Sequence, residues 1–254
     1  SPSKSKPKEF ITVFDAVSGQ IDKDYESLVF ANYLPLSNLR DKAVIWTKDQ
    51  ADSATGEILN LFTGEVLGTI PDVPWVHGSL GGAQIWSPDD NRLAVVYDGG
   101  ETYVWDVKSQ ELIAHHPLMS SDKIWSHSPL GIWHPDGDLL LLSYCTQSKN
   151  ASCAKHVITV WDLITGQDLY TIPGSSAIWG TEGEWLAVYE EDFEQNKRYL
   201  KFLDTETGQG SKIELTLPSY SSLRQGSVGL FGDLILIAVG NGISLFDYRS
   251  GEVL

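Results

Sequence analysis

Six times along the chain an apolar run closes on a short polar turn of the form x-x-[ST]-G, with an aromatic-Asp pair at the junction in the sharpest copies. The copies read ITVFDAVSG to Gly19, ILNLFTG to Gly64, TYVWDVKSQ with Gln110 in the glycine position, ITVWDLITG to Gly166, LKFLDTETG to Gly208 and ISLFDYRSG to Gly251. Successive turn ends lie 45, 46, 56, 42 and 43 residues apart. A unit this short cannot bury its own apolar face, so neighbours must stack, and the period is that of a four-stranded blade. The expectation is an all-β chain, a β-propeller of four-stranded antiparallel blades with about five to six blades present.

Each repeat fills the same four slots. The clearest runs AQIWSPDDN, RLAVVYDGG, ETYVWDVKSQ and ELIAHHPL; the next runs LGIWHPDGD, LLLLSYC, HVITVWDLITGQ and DLYTIPG. Pro-Asp-Asp and Pro-Asp-Gly supply a preset φ followed by residues that tolerate turn geometry, so strand one must reverse into strand two. Runs such as LAVVY and LILIAV are apolar throughout, as expected of strands covered on both faces. Trp86, Trp133 and Trp179 are predicted at equivalent first-strand ends, and Trp105 and Trp161 at equivalent third-strand positions. Asp106 and Asp162 are predicted to accept backbone N–H bonds from the turns that follow them. The propeller should occupy residues 10–254 after a polar linker at 1–9, with repeats ending near 64, 110, 166, 208 and 251. Six third strands face only five first and second strands, so the amino-terminal blade is incomplete. The chain is then a slice of a larger ring, or a five-bladed ring whose segment 10–15 is the outer strand of the last blade.

The combination of Val104-Trp105-Asp106 and Val160-Trp161-Asp162 with WSPDD at 86–90 and WHPDG at 133–137 resembles WD-repeat propellers, and the latter element equally resembles TolB-type repeats. The Gly-His dipeptide of WD repeats is replaced by His77-Gly78 in reverse order, which points to a divergent, bacterial-type relative. The resemblance implies a scaffold that binds proteins or peptides. Its TolB side implies an alternative, a propeller that gates or positions substrate for a hydrolase-type domain elsewhere in a longer chain.

A formal charge of −16 excludes the phosphate backbone of nucleic acids as an expected partner, because such binding needs Lys and Arg to displace condensed counterions. Anionic membranes are disfavoured for the same reason. No apolar run approaches the ~20 residues that span a bilayer, so direct insertion is not expected. Cys145 and Cys153 flank TQSKNAS in the hairpin between strands two and three of one repeat, either as a disulfide that enlarges the loop or as two reduced thiols. Bridging them implies an oxidising, extracellular or periplasmic location; reduced thiols leave a cytoplasmic one. The same loop holds the acceptor pattern Asn150-Ala151-Ser152.

Catalytic spacings are missing: there is no H-E-x-x-H, C-x-x-C, G-x-S-x-G or G-x-x-x-x-G-K. The acidic run at 22–26 begins like a calcium loop, but Ser27 and Tyr33 stand where that loop needs Gly and Glu. His134 reads as a turn residue, His115 and His116 as neighbours on opposite strand faces, and His156 as exposed ahead of a third strand. No metal site and no cofactor are expected. Two W-x-H tripeptides, Trp75-Val76-His77 and Trp125-Ser126-His127, fall in connections from an outer strand to the next first strand. These connections exceed the minimum seen in PGSS at 173–176. With Tyr220 and Arg224 from the equivalent later connection they form the expected partner-binding face, unless the tryptophans fold back as lids over the blades. A carbohydrate or small ligand is the remaining alternative occupant of that face.

Overall fold

The computed structural model of the protein describes residues 9–14, 20–27, 36–48, 53–74, 83–97, 100–117, 130–149, 152–192, 197–214, 227–231, 234–239, 242–247 and 252–253. The described chain is all β and contains no helix. Strands β1 (Glu9–Phe14) and β2 (Ile21–Ser27) pair as a two-stranded sheet. Next come β3 (Lys42–Lys48), β4 (Ser53–Asn60) and β5 (Val66–Pro74), with Leu36 adding a bridge to Ala43 at the free edge of β3. Four four-stranded sheets follow. They are β6 (Ala83–Trp86), β7 (Arg92–Val96), β8 (Thr102–Asp106) and β9 (Leu112–His116); then β10 (Leu130–Trp133), β11 (Leu139–Lys149), β12 (Ser152–Asp162) and β13 (Gln167–Pro173). The last two are β14 (Ser176–Trp179), β15 (Trp185–Asp192), β16 (Lys197–Asp204) and β17 (Gly210–Glu214), then β18 (Ser227–Phe231), β19 (Leu234–Val239), β20 (Gly242–Asp247) and β21 (Glu252–Val253). Every sheet is a meander in chain order, with antiparallel pairing throughout the registered strand pairs.

The sixfold phrase therefore lands on one slot, because β1, β4, β8, β12, β16 and β20 each carry a copy. Trp86, Trp133 and Trp179 close β6, β10 and β14, while Trp105 and Trp161 are the penultimate residues of β8 and β12; all five are buried.

Contacts divide the chain into two compact units, Ser1–Val95 with Val104–Ile113, and Val96–Tyr103 with Ala114–Leu254. In the first, Ala43, Val44, Ile58, Ile70 and Val73 are sealed from solvent, and Trp46 lies buried with its indole N–H donated to Gln84 Oε1 at 2.6 Å. Gly56 is required beneath that ring, since a Cβ there would come within 2.8 Å of both Trp46 and Val44. In the second, Leu141, Ile158, Val160, Ala177, Trp179, Leu186 and Val188 form one apolar cluster between the sheets β10–β13 and β14–β17. Second strands are buried at consecutive residues, Leu140 to Leu142 and Leu186 to Tyr189, so both of their faces are covered. The outer strand β13 is exposed or half-buried along its whole length. Truncating an inner residue such as Leu186 to Ala costs about 2–5 kcal/mol, because transfer and cavity terms add.

The turns repeat as closely as the strands. Between strands one and two, Arg40, Asp90, Gly137 and Gly183 all have positive φ, and each donates its N–H to the carbonyl three residues earlier, at 2.9 to 3.0 Å. Between strands three and four, Gly64, Gln110, Gly166 and Gly208 occupy the same left-handed region and donate to the carbonyl four residues earlier, at 2.7 to 2.9 Å. The Asp or Asn that opens this second turn caps it: Asp162 Oδ1 accepts from the Ile164 and Thr165 amides, Asp106 Oδ1 from Ser109, Asp204 Oδ1 from Thr207 and Asn60 Oδ1 from Phe62 and Thr63. Gln110, the one non-glycine among these four, sends its side chain back to the preceding sheet. There its Oε1 accepts from the Thr69 amide at 3.1 Å and from the Thr69 hydroxyl at 3.2 Å.

Candidate functional site

A four-stranded meander has two unlike ends. The turns joining strands one to two and three to four share one end; the hairpins joining strands two to three, and the exits toward the next sheet, share the other.

At the turn end of the two central sheets of the second unit, the four turns at 134–138, 162–166, 180–184 and 204–208 hold seven carboxylates and no Lys or Arg. Two of these carboxylates, Asp162 and Asp204, cap their turns. Burial raises the Asp162 carboxyl, but the Thr165 hydroxyl and the Thr165 and Ile164 amides outweigh it and hold it below the usual range. The Thr207 hydroxyl and amide do the same for Asp204, and the Ser109 amide for Asp106 in the sheet before. His134 belongs to this end: it is buried edge-on against Trp179, with ring centroids 4.9 Å apart, and its Nε2 lies 3.1 Å from the Gly183 carbonyl of the next sheet.

The opposite end differs from sheet to sheet. The link from β13 to β14 is residues 174–175, whereas β5 to β6 spans 75–82, β9 to β10 spans 117–129 and β17 to β18 spans 215–226. Trp75, His77, Trp125, His127, Tyr220 and Arg224 all fall in these three long connections and lie outside the described residues. The structure thus describes the strands that these connections join, but not the six side chains themselves.

What is described at this end is a set of reinforced hairpins. Cys145 and Cys153 are joined by a disulfide, with Cα atoms 5.8 Å apart, and pairing continues beyond it through Ser148–Cys153 to Lys149–Ser152. On the β15–β16 hairpin, the cross-strand partners Glu191 and Arg198 are both buried, with Nε 3.8 Å from Oε1, and the Tyr189 hydroxyl donates to the same oxygen at 3.0 Å. Burial pushes the Glu191 carboxyl up, against the pull of the Tyr189 bond and the Arg198 charge. On the other face of that hairpin Lys201 pairs with Glu190 at 3.1 Å and donates to the Pro173 carbonyl at 2.9 Å. These pairs staple strands together.

The remaining histidines separate as strand geometry requires. His115 is exposed, stacked on Tyr103 at 4.4 Å with Nε2 3.3 Å from Glu101 Oε1, which also accepts the Tyr103 hydroxyl at 2.8 Å. Burial and that bond push the Tyr103 phenol up to about 12. His116 points the other way and is buried. For His156 the expectation of exposure is corrected: β12 begins earlier than the repeat suggests, so the residue lies inside the strand opposite Cys145, half-buried, and burial lowers its titration. Among the described residues no group of three His, Cys, Asp or Glu converges as a metal site, and no helix is long and apolar enough to cross a membrane.

Fold and site together define a repeat protein of antiparallel, mostly four-stranded β-sheets with one stereotyped end and one variable end. Neither a protein-family profile nor a curated protein matches the sequence. Among solved structures, the chain is similar to Kuenenia stuttgartiensis hydrazine synthase, with a TM-score of 0.57 and 13% identity over 94% of this chain and 70% of that one. It is also similar to a chain in a crystal structure of the eukaryotic initiation factor, with a TM-score of 0.55 and 13% identity, and it spans 50% of that chain. At such identity the likeness is one of fold alone.

Proposed function

We propose that the protein is a β-propeller of the WD-repeat or TolB type, without a catalytic centre of its own, which binds a protein or peptide through the face built from its long inter-sheet connections. The observation that carries this reading is the contrast between the two-residue link at 174–175 and the three connections at 75–82, 117–129 and 215–226. Two residues suffice to pass from one sheet to the next, so the added length and its Trp, His and Tyr residues serve something other than closure. Rigid strands that present variable aromatic loops are a common basis for recognition. The buried repeat positions need no chemistry to explain them, and the disulfide favours an oxidising compartment.

The test is a phage-displayed random peptide library panned on the folded protein. Selected peptides should lose at least about tenfold in affinity to Trp75→Ala with Trp125→Ala, the size expected when interface anchors are truncated. The thermal transition of that variant should match the wild type. Peptides that bind the variant equally well, or a transition lowered by several degrees, would sink the reading and return both tryptophans to packing.

A further inference from the structure

Counted from the turn between strands three and four, the sixth residue onward is Ile70 in β5, His116 in β9 and Ile172 in β13; the second is Val66, Leu112 and Asp168. In these three strands each position is polar once and aliphatic twice, while β17 carries Gly210 at the second position and Glu214 at the sixth. His116 and Asp168, the two exceptions among the three strands, touch. His116 Nε2 lies 2.9 Å from Asp168 Oδ1, in a site where the histidine side chain is 4% exposed. The other ring nitrogen, Nδ1, lies 3.1 Å from the Pro117 carbonyl oxygen, and the ring packs at 70° to Trp161 with centroids 5.1 Å apart.

Both oxygens can only accept: a carbonyl has no proton to give, and neither has an ionised carboxylate. A neutral imidazole carries one N–H, so it can satisfy one of them and must turn a lone pair toward the other. Only the imidazolium satisfies both. We infer that His116 and Asp168 form a protonation-dependent latch tying the end of β9 to the start of β13. The latch is complete when the ring carries two protons and short of one bond when it carries one.

Among the described residues, the groups that meet the ring are the Asp168 carboxylate from β13, the Trp161 indole from β12 and the Pro117 carbonyl from the end of its own strand. Among the described residues no other charged group pairs with it. The sign follows from this setting. The latch holds one more bond when the ring carries two protons than when it carries one, so its contribution to stability falls as the pH rises and the ring gives up its second proton. Because β9 ends at His116, the latch also sets where the chain leaves for the connection at 117–129.

Histidine-selective 15N labelling of the whole chain tests the proton count directly. At about pH 6, both ring nitrogens of His116, assigned by the signals lost in His116→Gln, should be protonated together, and raising the pH should convert them to a neutral pair. A ring holding a single proton at that pH, in either tautomer, overturns the proposal. A second variant covers the case in which His116→Gln does not fold. His116→Ile with Asp168→Val places sister-strand residues at both positions and should remain folded. The wild type should lose several degrees of thermal stability relative to this double variant between about pH 6 and pH 8.5. Parallel pH profiles for the two proteins overturn the latch; converging profiles support it.

Discussion

Where strands one and two meet, four described repeats spend the same number of residues, put the same position at positive φ and close the same backbone bond, whether that position holds Arg40, Asp90, Gly137 or Gly183. At the far end of the same sheets, one link takes two residues and another takes thirteen, and one hairpin is extended and crosslinked by Cys145–Cys153. The first end is governed by short-range rules: a left-handed residue, a capping side chain and a bond across three or four residues leave no room for variation. The second end obeys only the requirement that strands reconnect. Loop closure costs grow slowly with length, so insertions accumulate there at little energetic cost. A fold that is rigid at one end can therefore be individual at the other.

The hardest blow to the stereotyped end should come from Gly183→Ala. Its φ is +82°, and an added Cβ would collide with the His134 ring, so strain and displacement of a buried residue combine. The expected loss is about 3 kcal/mol or more by denaturant titration. A cost near that of an exposed turn would mean the end is more pliable than its hydrogen bonds suggest. Removing the crosslink at the variable end, as Cys145→Ser with Cys153→Ser, should cost about 2 kcal/mol, because the loop it closes is short. That loss should come with unchanged exchange protection in the sheet β14–β17. Protection lost throughout that sheet would show that the two ends are not independent.

A smaller effect is expected from Gly166→Ala, a turn glycine with φ +70° and nothing within 4 Å of the added atom. It isolates backbone strain from collision and should cost about 1 kcal/mol. Equality with Gly183→Ala would make the His134 contact irrelevant. The smallest effect is a change of pH profile in Asp162→Asn. A carboxyl held below its ordinary value of 3.8 stabilises the folded state above that value and ceases to do so as the pH falls through its lowered folded range. Acid unfolding of the variant should therefore be slightly less steep at its low-pH limit, as followed by tryptophan fluorescence; an unchanged profile would leave the Asp162 cap without electrostatic weight.

The stereotyped end was legible in the sequence because its causes are local. Trp86, Trp133 and Trp179 fall at first-strand ends, and Asp106 and Asp162 cap their turns, since each assignment needs only a spacing and a turn residue. The candidate site was legible only as length. Trp75, Trp125 and Tyr220 sit in connections whose residues carry no periodicity, and no rule of turn chemistry places a side chain in a link of eight residues or more. His156 was misjudged because the extension of β12 depends on its partner strand rather than on its own residues. The pairing of His116 with Asp168 spans 52 residues. One signal pointed to it, the departure of both positions from the aliphatic residues that β5 carries there, but which polar residue met which required the packing of successive sheets.

Equal repeats invite the idea of interchangeable cassettes, and Gln110 shows why these are not. Its backbone holds a conformation that glycine takes at no steric cost, and the bonds that offset this strain belong to Thr69, in the repeat before it. Moved to another slot, the same cassette would bring the strain and leave the remedy behind. Permuting repeats would thus fail at the joints even if every sheet folded, and a shuffled chain would need Gln110→Gly before its new neighbours could accept it. Serial order is written into this protein by a residue that breaks its own motif.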